Sequence, residues 1–281
     1  MNLLKSIFIT SYIMAGMAGL ISAIVSLTNS GLQSPWLGTA LACAGPAVFF
    51  SHIMLMPRAR TSRNLNLVIG AGIVGTVLSV VLGGAPTSLP VLIAAGVGLF
   101  GSLVYVFWYS RFGAAMNAAL TEGAMLPALE LSENGTRFSL AQLTAKPALW
   151  VFYRGNWCPL CVAQIKEIAA QYRELARRGV EVYLISPQSE ANSQALSKKM
   201  DAPMRFMTDA GNRAAEALGI KVENGLPAGF QALGYDSDVP RPTVFITAPG
   251  GKVIFCDMTD NYRVRPEPAS FFPVLDRHAI V

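Results

Sequence analysis

The chain has 281 residues, of which 14% are charged, and its mean hydropathy is +0.42. These values are too apolar for an ordinary soluble protein, and the apolar excess lies before about residue 110. The formal net charge is only +5, and no dense basic run contains interleaved aromatic residues. The composition therefore argues against a nucleic-acid partner and favours a membrane segment followed by a globular domain.

Residues 1–110 contain four apolar stretches, at 7–27, 36–56, 65–83 and 88–109. Each has about the 20 residues that a helix needs to cross a hydrocarbon core of roughly 30 Å. The first stretch resembles a signal peptide because Lys5 precedes it, but three further stretches favour an uncleaved helix. We therefore predict an all-α transmembrane four-helix bundle, surrounded by membrane lipid.

Glycine is frequent in these stretches, and small residues let helix backbones approach closely in lipid. Tight helix packing is the simplest explanation, and a heme or quinone site is the alternative. His52 is the only histidine of the region, so a bis-His heme cannot be built within one chain.

The basic residues of the short loops predict the orientation of the bundle. Lys5 precedes the first stretch, Arg58, Arg60 and Arg63 follow the second, and Arg111 follows the fourth, whereas the other two loops have no Lys or Arg. With four spans, all these residues fall on one side, which should be cytoplasmic. We predict an integral protein of a bacterial inner membrane, with both termini and the C-terminal domain on the cytoplasmic side.

A predicted linker at 111–124 leads to a domain at 125–281 in which strand and helix patterns alternate. Apolar runs and helical spacing predict strands at 148–153, 180–185, 205–207, 243–247 and 252–256, and helices at 159–178, 191–200, 212–218 and 268–278. Pro249-Gly250-Gly251 between the last two strands indicates a hairpin. The order βαβ, αβ, ββα predicts an α/β domain with a mixed sheet flanked by helices.

Cys158 and Cys161 form a C-x-x-C pair at the predicted start of the helix that follows the first of these strands. Unpaired N–H groups and the helix dipole stabilise a thiolate there, so the pKa of Cys158 should fall below its usual value. Pro159 suits the first helical turn, and Cys161 lies about one turn along the same face. We predict Cys158 as the attacking thiolate and Cys161 as the resolving thiol of a redox-active disulfide, without another cofactor.

A lone C-x-x-C is also half of a zinc site. The chain has no second C-x-x-C and no histidine pair with ligand spacing, and Cys43 and Cys256 are isolated in apolar surroundings. A C-x-x-C beside a βαβ pattern is instead typical of thiol redox proteins, and we predict no metal site.

Pro242 and Thr243 begin the predicted strand at 243–247. In thioredoxin-like folds the proline at this place is cis and packs against the cysteine pair, so we expect a cis Pro242 opposite Cys158. A plain turn proline is the alternative, because cis X-Pro is the rarer form.

Several segments together carry a resemblance to a known family. They are Leu126–Leu131, Asn134-Gly135 with Phe138–Leu140, Tyr153–Cys161, Ile185–Gln188 and Asp260–Pro268. This pattern resembles the peroxiredoxin-like branch of the alkyl hydroperoxide reductase/thiol-specific antioxidant (AhpC/TSA) family and covers about 125–281. The resemblance implies a thioredoxin-like fold and a thiol-dependent oxidoreductase.

One position departs from that family. Peroxidatic sites carry Thr or Ser three residues before the cysteine, where the hydroxyl orients the peroxide, and this chain has Gly155. Arg154 is expected to place a cation near the thiolate. Arg263 or Arg265 could do the same if the C-terminal segment folds back. Trp157 precedes the nucleophile and is expected to shield the site, form a partner surface or pack as a half-buried residue.

Three functions fit these features. The first is an enzyme that reduces peroxide or the disulfide of a client protein, with a thioredoxin- or glutathione-like thiol as electron donor. The second is a copper-chaperone-like protein. That function requires a metal-ligating histidine in the C-terminal loops, and the only histidine in the C-terminal part of the chain is His278, next to the terminus. The third is a regulatory membrane protein. In the cytoplasm the pair would be kept mostly reduced and would donate electrons.

Overall fold

The structure is a computed structural model that describes residues 2–113 and 118–280; residues 114–117 of the predicted linker lie outside the described residues. The chain divides into two compact units, one formed mainly by residues 4–111 and one mainly by residues 112–280. The first is helical, and the second contains all the strands.

The helical unit has four helices, α1 (Asn2–Ser30), α2 (Trp36–Leu55), α3 (Asn66–Val81) and α4 (Leu89–Tyr109). Three of them, α1, α2 and α4, are long and apolar enough to cross a membrane. The helix α3 has only 16 residues and rises about 24 Å, so it is shorter than the apolar stretch predicted at 65–83. The apolar run at 65–83 is longer than this helix because Leu65 has a left-handed backbone (φ 48°) and Gly83 has φ 92°, and both lie outside it.

Close backbone contact joins α2 to α3. A Cβ atom added to Gly38 would lie 2.2 Å from Ser79 N, and one added to Gly75 would lie 2.4 Å from Ala42 N. Only glycine permits this separation of the two helices, as the small-residue pattern predicts. At the end of the unit that holds the uncharged turns, Gly84 lies beside Pro35, where an added Cβ would be 3.3 Å from the proline Cβ.

The helical unit has an unusual surface. Among the described residues, the large hydrophobic side chains that are exposed lie almost entirely before residue 110; Met125, Leu233 and Val264 are the exceptions. Leu67 on α3 is 90% exposed. Water would make such a surface unfavourable, whereas lipid would not.

The second unit is built on a seven-stranded mixed sheet. Its strands are β1 (Glu130–Glu133), β2 (Thr136–Ser139), β3 (Ala148–Phe152), β4 (Glu181–Ser186), β5 (Arg205–Thr208), β8 (Thr243–Thr247) and β9 (Val253–Asp257), in the order β2-β1-β5-β4-β3-β8-β9. The central β5, β4 and β3 are parallel, and the remaining pairs are antiparallel. The predicted mixed sheet is therefore confirmed.

The helices of this unit are α5 (Leu140–Leu143), α6 (Pro159–Ala170), α7 (Tyr172–Arg177), α8 (Glu190–Ser197), α9 (Arg213–Ala217) and α10 (Phe272–Arg277). The single helix predicted at 159–178 is two helices. At Gln171 the N–H bonds to the carbonyl of Ile168, three residues back, which closes α6 with a tight turn. Leu175 remains buried at helical spacing, so the sequence pattern does not reveal the break. The helix predicted at 268–278 likewise begins with a 3₁₀ turn, Pro268–Phe271.

A small two-stranded ribbon, β6 (Lys221–Val222) and β7 (Val239–Pro240), lies outside the main sheet. The sequence pattern did not predict it. The loop between its strands, residues 223–238, is called the strap below because it contacts the segment before Cys158.

Candidate active site

The cysteine pair lies where the central strand β3 leads into α6. Every residue of β3 is buried, which fixes the end of the strand, and Tyr153–Trp157 connect it to Cys158. Cys158 is the N-cap residue of α6, and Pro159 occupies its first turn. The carbonyl of Cys158 accepts hydrogen bonds from the N–H groups of Cys161 (3.0 Å) and Val162 (3.1 Å). The predicted position of the pair at a helix start is thus confirmed.

Both thiols are free and buried: Cys158 is 3% exposed and Cys161 is not exposed at all. The Cys158 thiol donates a hydrogen bond to Cys161, and this bond, together with burial, raises the pKa of Cys158 well above its usual value. Burial also opposes ionisation of Cys161. The hydrogen bond from Cys158 and the charge of Arg265 outweigh that penalty, so the pKa of Cys161 is lowered.

The charges of both Arg265 and Arg154 favour ionisation of Cys158, as was expected of Arg154, and Arg265 also contacts Cys161. Its Nη2 lies 3.4 Å from Cys161 Sγ, its Nη1 donates to Gln164 Oε1 (2.8 Å), and its Nε donates to the carbonyl of Tyr262 (3.1 Å). The guanidinium is buried, so its charge acts through little solvent.

The direction of the pKa shift differs from the expectation for Cys158. The helix start was expected to lower the pKa of Cys158, but the hydrogen bond to Cys161 and burial raise it. The pKa of Cys161, which Arg265 contacts, is lowered instead. Arg263, the neighbouring candidate, is fully buried, and its main-chain N–H donates to Asn261 Oδ1 (3.0 Å).

Arg154 and Trp157 form one packed group next to the pair. The Arg154 guanidinium lies 5.0 Å from the centre of the Trp157 ring, and its Nη2 donates to the carbonyl of Gly225 in the strap. The other neighbour of Trp157 is Phe230, at 5.5 Å between ring centroids. Trp157 is half-buried, and its surroundings agree with a packing role.

The backbone conformation and packing at residue 155 explain why glycine stands where the family has a hydroxyl residue. Its φ of 143° is disfavoured for residues with a side chain, and an added Cβ would lie 2.5 Å from Trp157 Nε1. The backbone conformation and the Trp157 side chain together disfavour Thr or Ser at this position.

Gln188 holds the same loop and was not predicted as a site residue. Its Oε1 accepts from the N–H of Asn156 (2.8 Å), and its Nε2 donates to the hydroxyls of Tyr153 (2.9 Å) and Ser193 (3.2 Å). The carboxamide is buried with its donors and acceptor in use, so it fixes the approach to Cys158. Gln188 belongs to the segment Ile185–Gln188, which resembles the AhpC/TSA family. That resemblance is the one sequence feature that points to Gln188.

Pro242 and Thr243 lie beside the end of β3, because Thr243 pairs with Phe152 in the sheet register. The expectation of a cis bond is wrong: no peptide bond among residues 2–113 and 118–280 is cis. The trans form is the lower-energy form for X-Pro, and the chain here is held by main-chain and side-chain bonds. The N–H of Arg241 donates to the carbonyl of Ile220 (2.7 Å), and Thr243 Oγ1 donates to the carbonyl of Arg241 (3.0 Å).

Part of the chain is similar to known proteins. Residues 123–256 match the model of the AhpC/TSA family. Over 104 residues the chain is 29% identical to chloroplastic peroxiredoxin Q of Sedum lineare, and the alignment covers 37% of this chain and 56% of that protein. The C-terminal domain is peroxiredoxin-like. The resemblance stated from the sequence motifs is confirmed, and the chain spans little more than half the length of this curated relative.

Two solved structures are also similar to the peroxiredoxin-like domain. AhpC of Enterococcus faecalis is 17% identical with a TM-score of 0.47, and the match covers 59% of this chain and 95% of that one. Peroxidoxin BcpB of Mycobacterium tuberculosis is 17% identical with a TM-score of 0.47, covering 58% of this chain and 98% of that one.

Replacing Arg265 should change the ionisation of the thiols. In Arg265→Met, the first thiolate should appear at higher pH than in the parent protein, because the cation that lowers the pKa of Cys161 is gone. Arg265→Lys keeps the charge and should restore part of the difference. Thiolate absorbance near 240 nm, followed against pH in the reduced protein, measures this. An unchanged first titration in Arg265→Met would contradict the assigned role.

Replacing Gly155 should destabilise the domain. Gly155→Ala forces a side chain into a disfavoured backbone region and onto Trp157, and should lower the free energy of unfolding by about 1–3 kcal/mol or more. Gly179→Ala is the matched control, since Gly179 has φ 67° but no atom within 4 Å of an added Cβ. Urea denaturation should therefore show a larger loss for Gly155→Ala, and equal losses would mean that the Trp157 contact has no cost.

Proposed function

We propose that the protein is a membrane-anchored thiol-dependent oxidoreductase that uses Cys158 and Cys161 as a dithiol. The observation that supports this best is the buried, hydrogen-bonded thiol pair with Arg265 against Cys161. A lowered thiol pKa beside a cation is the usual environment of a reactive cysteine. The peroxiredoxin-like domain that surrounds the pair supports the same chemistry.

Cys158 is the sulfur that meets the oxidant, because it alone of the two retains exposed surface. The Cys161 thiolate accepts the proton of Cys158, which leaves the Cys158 thiolate as nucleophile. The Cys158 sulfur attacks one oxygen of a hydroperoxide and forms a sulfenic acid, and the released alkoxide takes a proton from solvent to become an alcohol. The Cys161 thiol then attacks the sulfenic sulfur, so that the disulfide forms and water leaves.

A thiol donor completes the cycle. Two electrons and two protons, from one thioredoxin-like dithiol or from two glutathione-like thiols, return the pair to the dithiol and leave the donor as its disulfide. A client-protein disulfide is the alternative oxidant. In that reaction the Cys158 thiolate would attack the client sulfur, and Cys161 would resolve the mixed disulfide. Arg154 and Trp157, which pack against each other beside Cys158, are positioned to support either reaction.

The helical unit is proposed to anchor this chemistry in a membrane. Its exposed apolar side chains and its three long apolar helices support contact with lipid. The Lys5 ammonium donates to the carbonyl of Arg111 (2.5 Å), so two of the basic positions share one end of the unit. The two uncharged turns, which contain Pro35 and Gly84, lie next to each other. We infer four crossings with α3 as a short one, and basic loops with the C-terminal domain on the cytoplasmic side.

Cysteine variants test the enzymatic function. Cys158→Ser should abolish both peroxide consumption and disulfide reduction by the full chain in detergent, with a thiol donor supplied. Without added thiol, Cys161→Ser should stop after one turnover and accumulate a trappable Cys158 sulfenic acid, while Cys256→Ser should keep activity with the donor present. Undiminished activity in Cys158→Ser would refute the proposal. A copper ion retained by the parent and lost from Cys158→Ser would instead favour the copper-chaperone-like alternative.

Single-cysteine labelling tests the topology. In a background with the four native cysteines changed to serine, Gln33→Cys and Thr87→Cys mark the two uncharged turns and Ser62→Cys marks the basic loop. An impermeant thiol reagent should label the first two in intact cells, and Ser62→Cys only after permeabilisation. Labelling of Gln33→Cys but not Thr87→Cys in intact cells would show that α3 does not cross the membrane. Labelling of Ser62→Cys in intact cells, with the other two labelled only after permeabilisation, would show that the sidedness is opposite to the one proposed.

A further inference from the structure

We propose that the strap, residues 223–238, makes the cysteine pair selective for small substrates, a hydroperoxide as oxidant and a low-molecular-weight thiol as reductant. The strap would exclude protein disulfides and protein dithiols while it is closed. This inference rests on the proposed function and specifies the substrate class of the same site.

The strap contacts three of the four residues that precede Cys158. Arg154 Nη2 donates to the Gly225 carbonyl, and the Tyr235 hydroxyl donates to Asn156 Oδ1 at 2.6 Å. Between these two bonds Phe230 packs on Trp157, with ring centroids 5.5 Å apart. The segment leading to Cys158 is therefore held against the strap at three successive points.

The base of the strap is firmly attached. The N–H of Asn224 donates to Asp238 Oδ1 (2.9 Å), and the N–H of Leu226 donates to the carbonyl of Ser237 (3.0 Å). Leu226 has no exposed surface, and the β6–β7 pairing closes the loop below it. The base of the strap is consequently held in place, and the strap is not a loosely attached surface loop.

The outer turn of the strap has a different character. Its 3₁₀ segment, Phe230–Leu233, lies between Gly229 (φ 95°) and Gly234 (φ 81°), and Leu233 is 67% exposed. The Phe230 ring and the Tyr235 hydroxyl are the side-chain contacts by which this turn holds the segment before Cys158. Loss of these two contacts should open the outer turn while the base stays in place.

The burial of the sulfurs determines what can react. Cys158 exposes 3% of its surface and Cys161 none. Thiol–disulfide exchange requires the attacking sulfur to reach a disulfide sulfur directly, and a disulfide in a folded protein brings neighbouring chain with it. A hydroperoxide presents two oxygens at the end of a small molecule. The closed strap thus admits the small oxidant and hinders the large one.

The closed strap also limits which reductant can reach the Cys158–Cys161 disulfide. One small thiol attacks the Cys158–Cys161 disulfide, forming a mixed disulfide and freeing one cysteine thiol. A second small thiol releases the first as a symmetrical disulfide, so two thiols supply the two electrons and two protons that the pair regains. A protein dithiol would need to bring its sulfur through the same closed entrance.

Alkylation rates test the strap without depending on catalysis. The reduced full chain in detergent is treated with N-ethylmaleimide or with a polyethylene-glycol maleimide, which share one reactive group and differ in size. Modification of the Cys158–Cys161 peptide is quantified by mass spectrometry. The parent should react much faster with the small reagent. In Phe230→Ala/Tyr235→Phe, the rate with the large reagent should rise about tenfold, because a ring contact and a hydrogen bond are lost.

Leu233→Ala is the matched control, since it changes an exposed residue of the same turn. It should leave both rates unchanged. Tyr235→Phe alone removes only a hydroxyl and keeps the test valid if the double variant does not fold. It should raise the large-reagent rate by a smaller factor. Equal rates for the two reagents in the parent, or no change in folded Tyr235→Phe and the folded double variant, would overturn the proposal.

Activity measurements separate this inference from the proposed function. In the double variant, the ratio of protein-disulfide reductase activity to peroxide consumption should rise above that of the parent. Size-selective alkylation without any redox activity would refute the proposed function and leave the strap as a steric barrier. Redox activity with equal alkylation by both reagents would refute the strap and leave the enzyme.

Discussion

The site depends on one buried positive charge. Arg265 faces Cys161 at 3.4 Å and has no water shell of its own, so its other donors must be bound by Gln164 and by the carbonyl of Tyr262. The Arg265 cation lowers the free-energy cost of a buried thiolate, and a thiolate in turn lowers the cost of the buried cation. The shared proton between Cys158 and Cys161 follows from this arrangement, because only one of two adjacent sulfurs can ionise easily.

The sequence predicted the features that depend on local pattern. The buried strand at Ala148–Phe152 and the helix start at Cys158 follow from an apolar run, a proline and a C-x-x-C pair. The Asn134-Gly135 turn joins β1 to β2 with positive φ at both residues, as that dipeptide favours. The helix break at Gln171 could not be predicted, since the apolar spacing continues through it to Leu175.

The missed features depend on the tertiary fold. Arg263 and Arg265 are two residues apart in an irregular segment without periodicity, so the sequence does not tell which one reaches the thiols. The strap has no alternating or helical pattern, and its importance comes from where it packs. In the helical unit, hydropathy identified all four helices but overestimated α3, because apolar residues such as Leu65 and Leu82 lie beyond its ends.

The proposed Cys158–Cys161 disulfide would change the surroundings of Arg265. In the reduced pair the guanidinium favours a negative charge on Cys161, but a disulfide carries no charge. The buried cation would then keep only neutral partners, Gln164 Oε1 and the Tyr262 carbonyl, and burial of a charge without a counter-charge costs free energy. In the proposed cycle this cost would fall on the oxidised form and would be relieved when the disulfide is reduced. The redox poise of the proposed pair would therefore shift toward the dithiol.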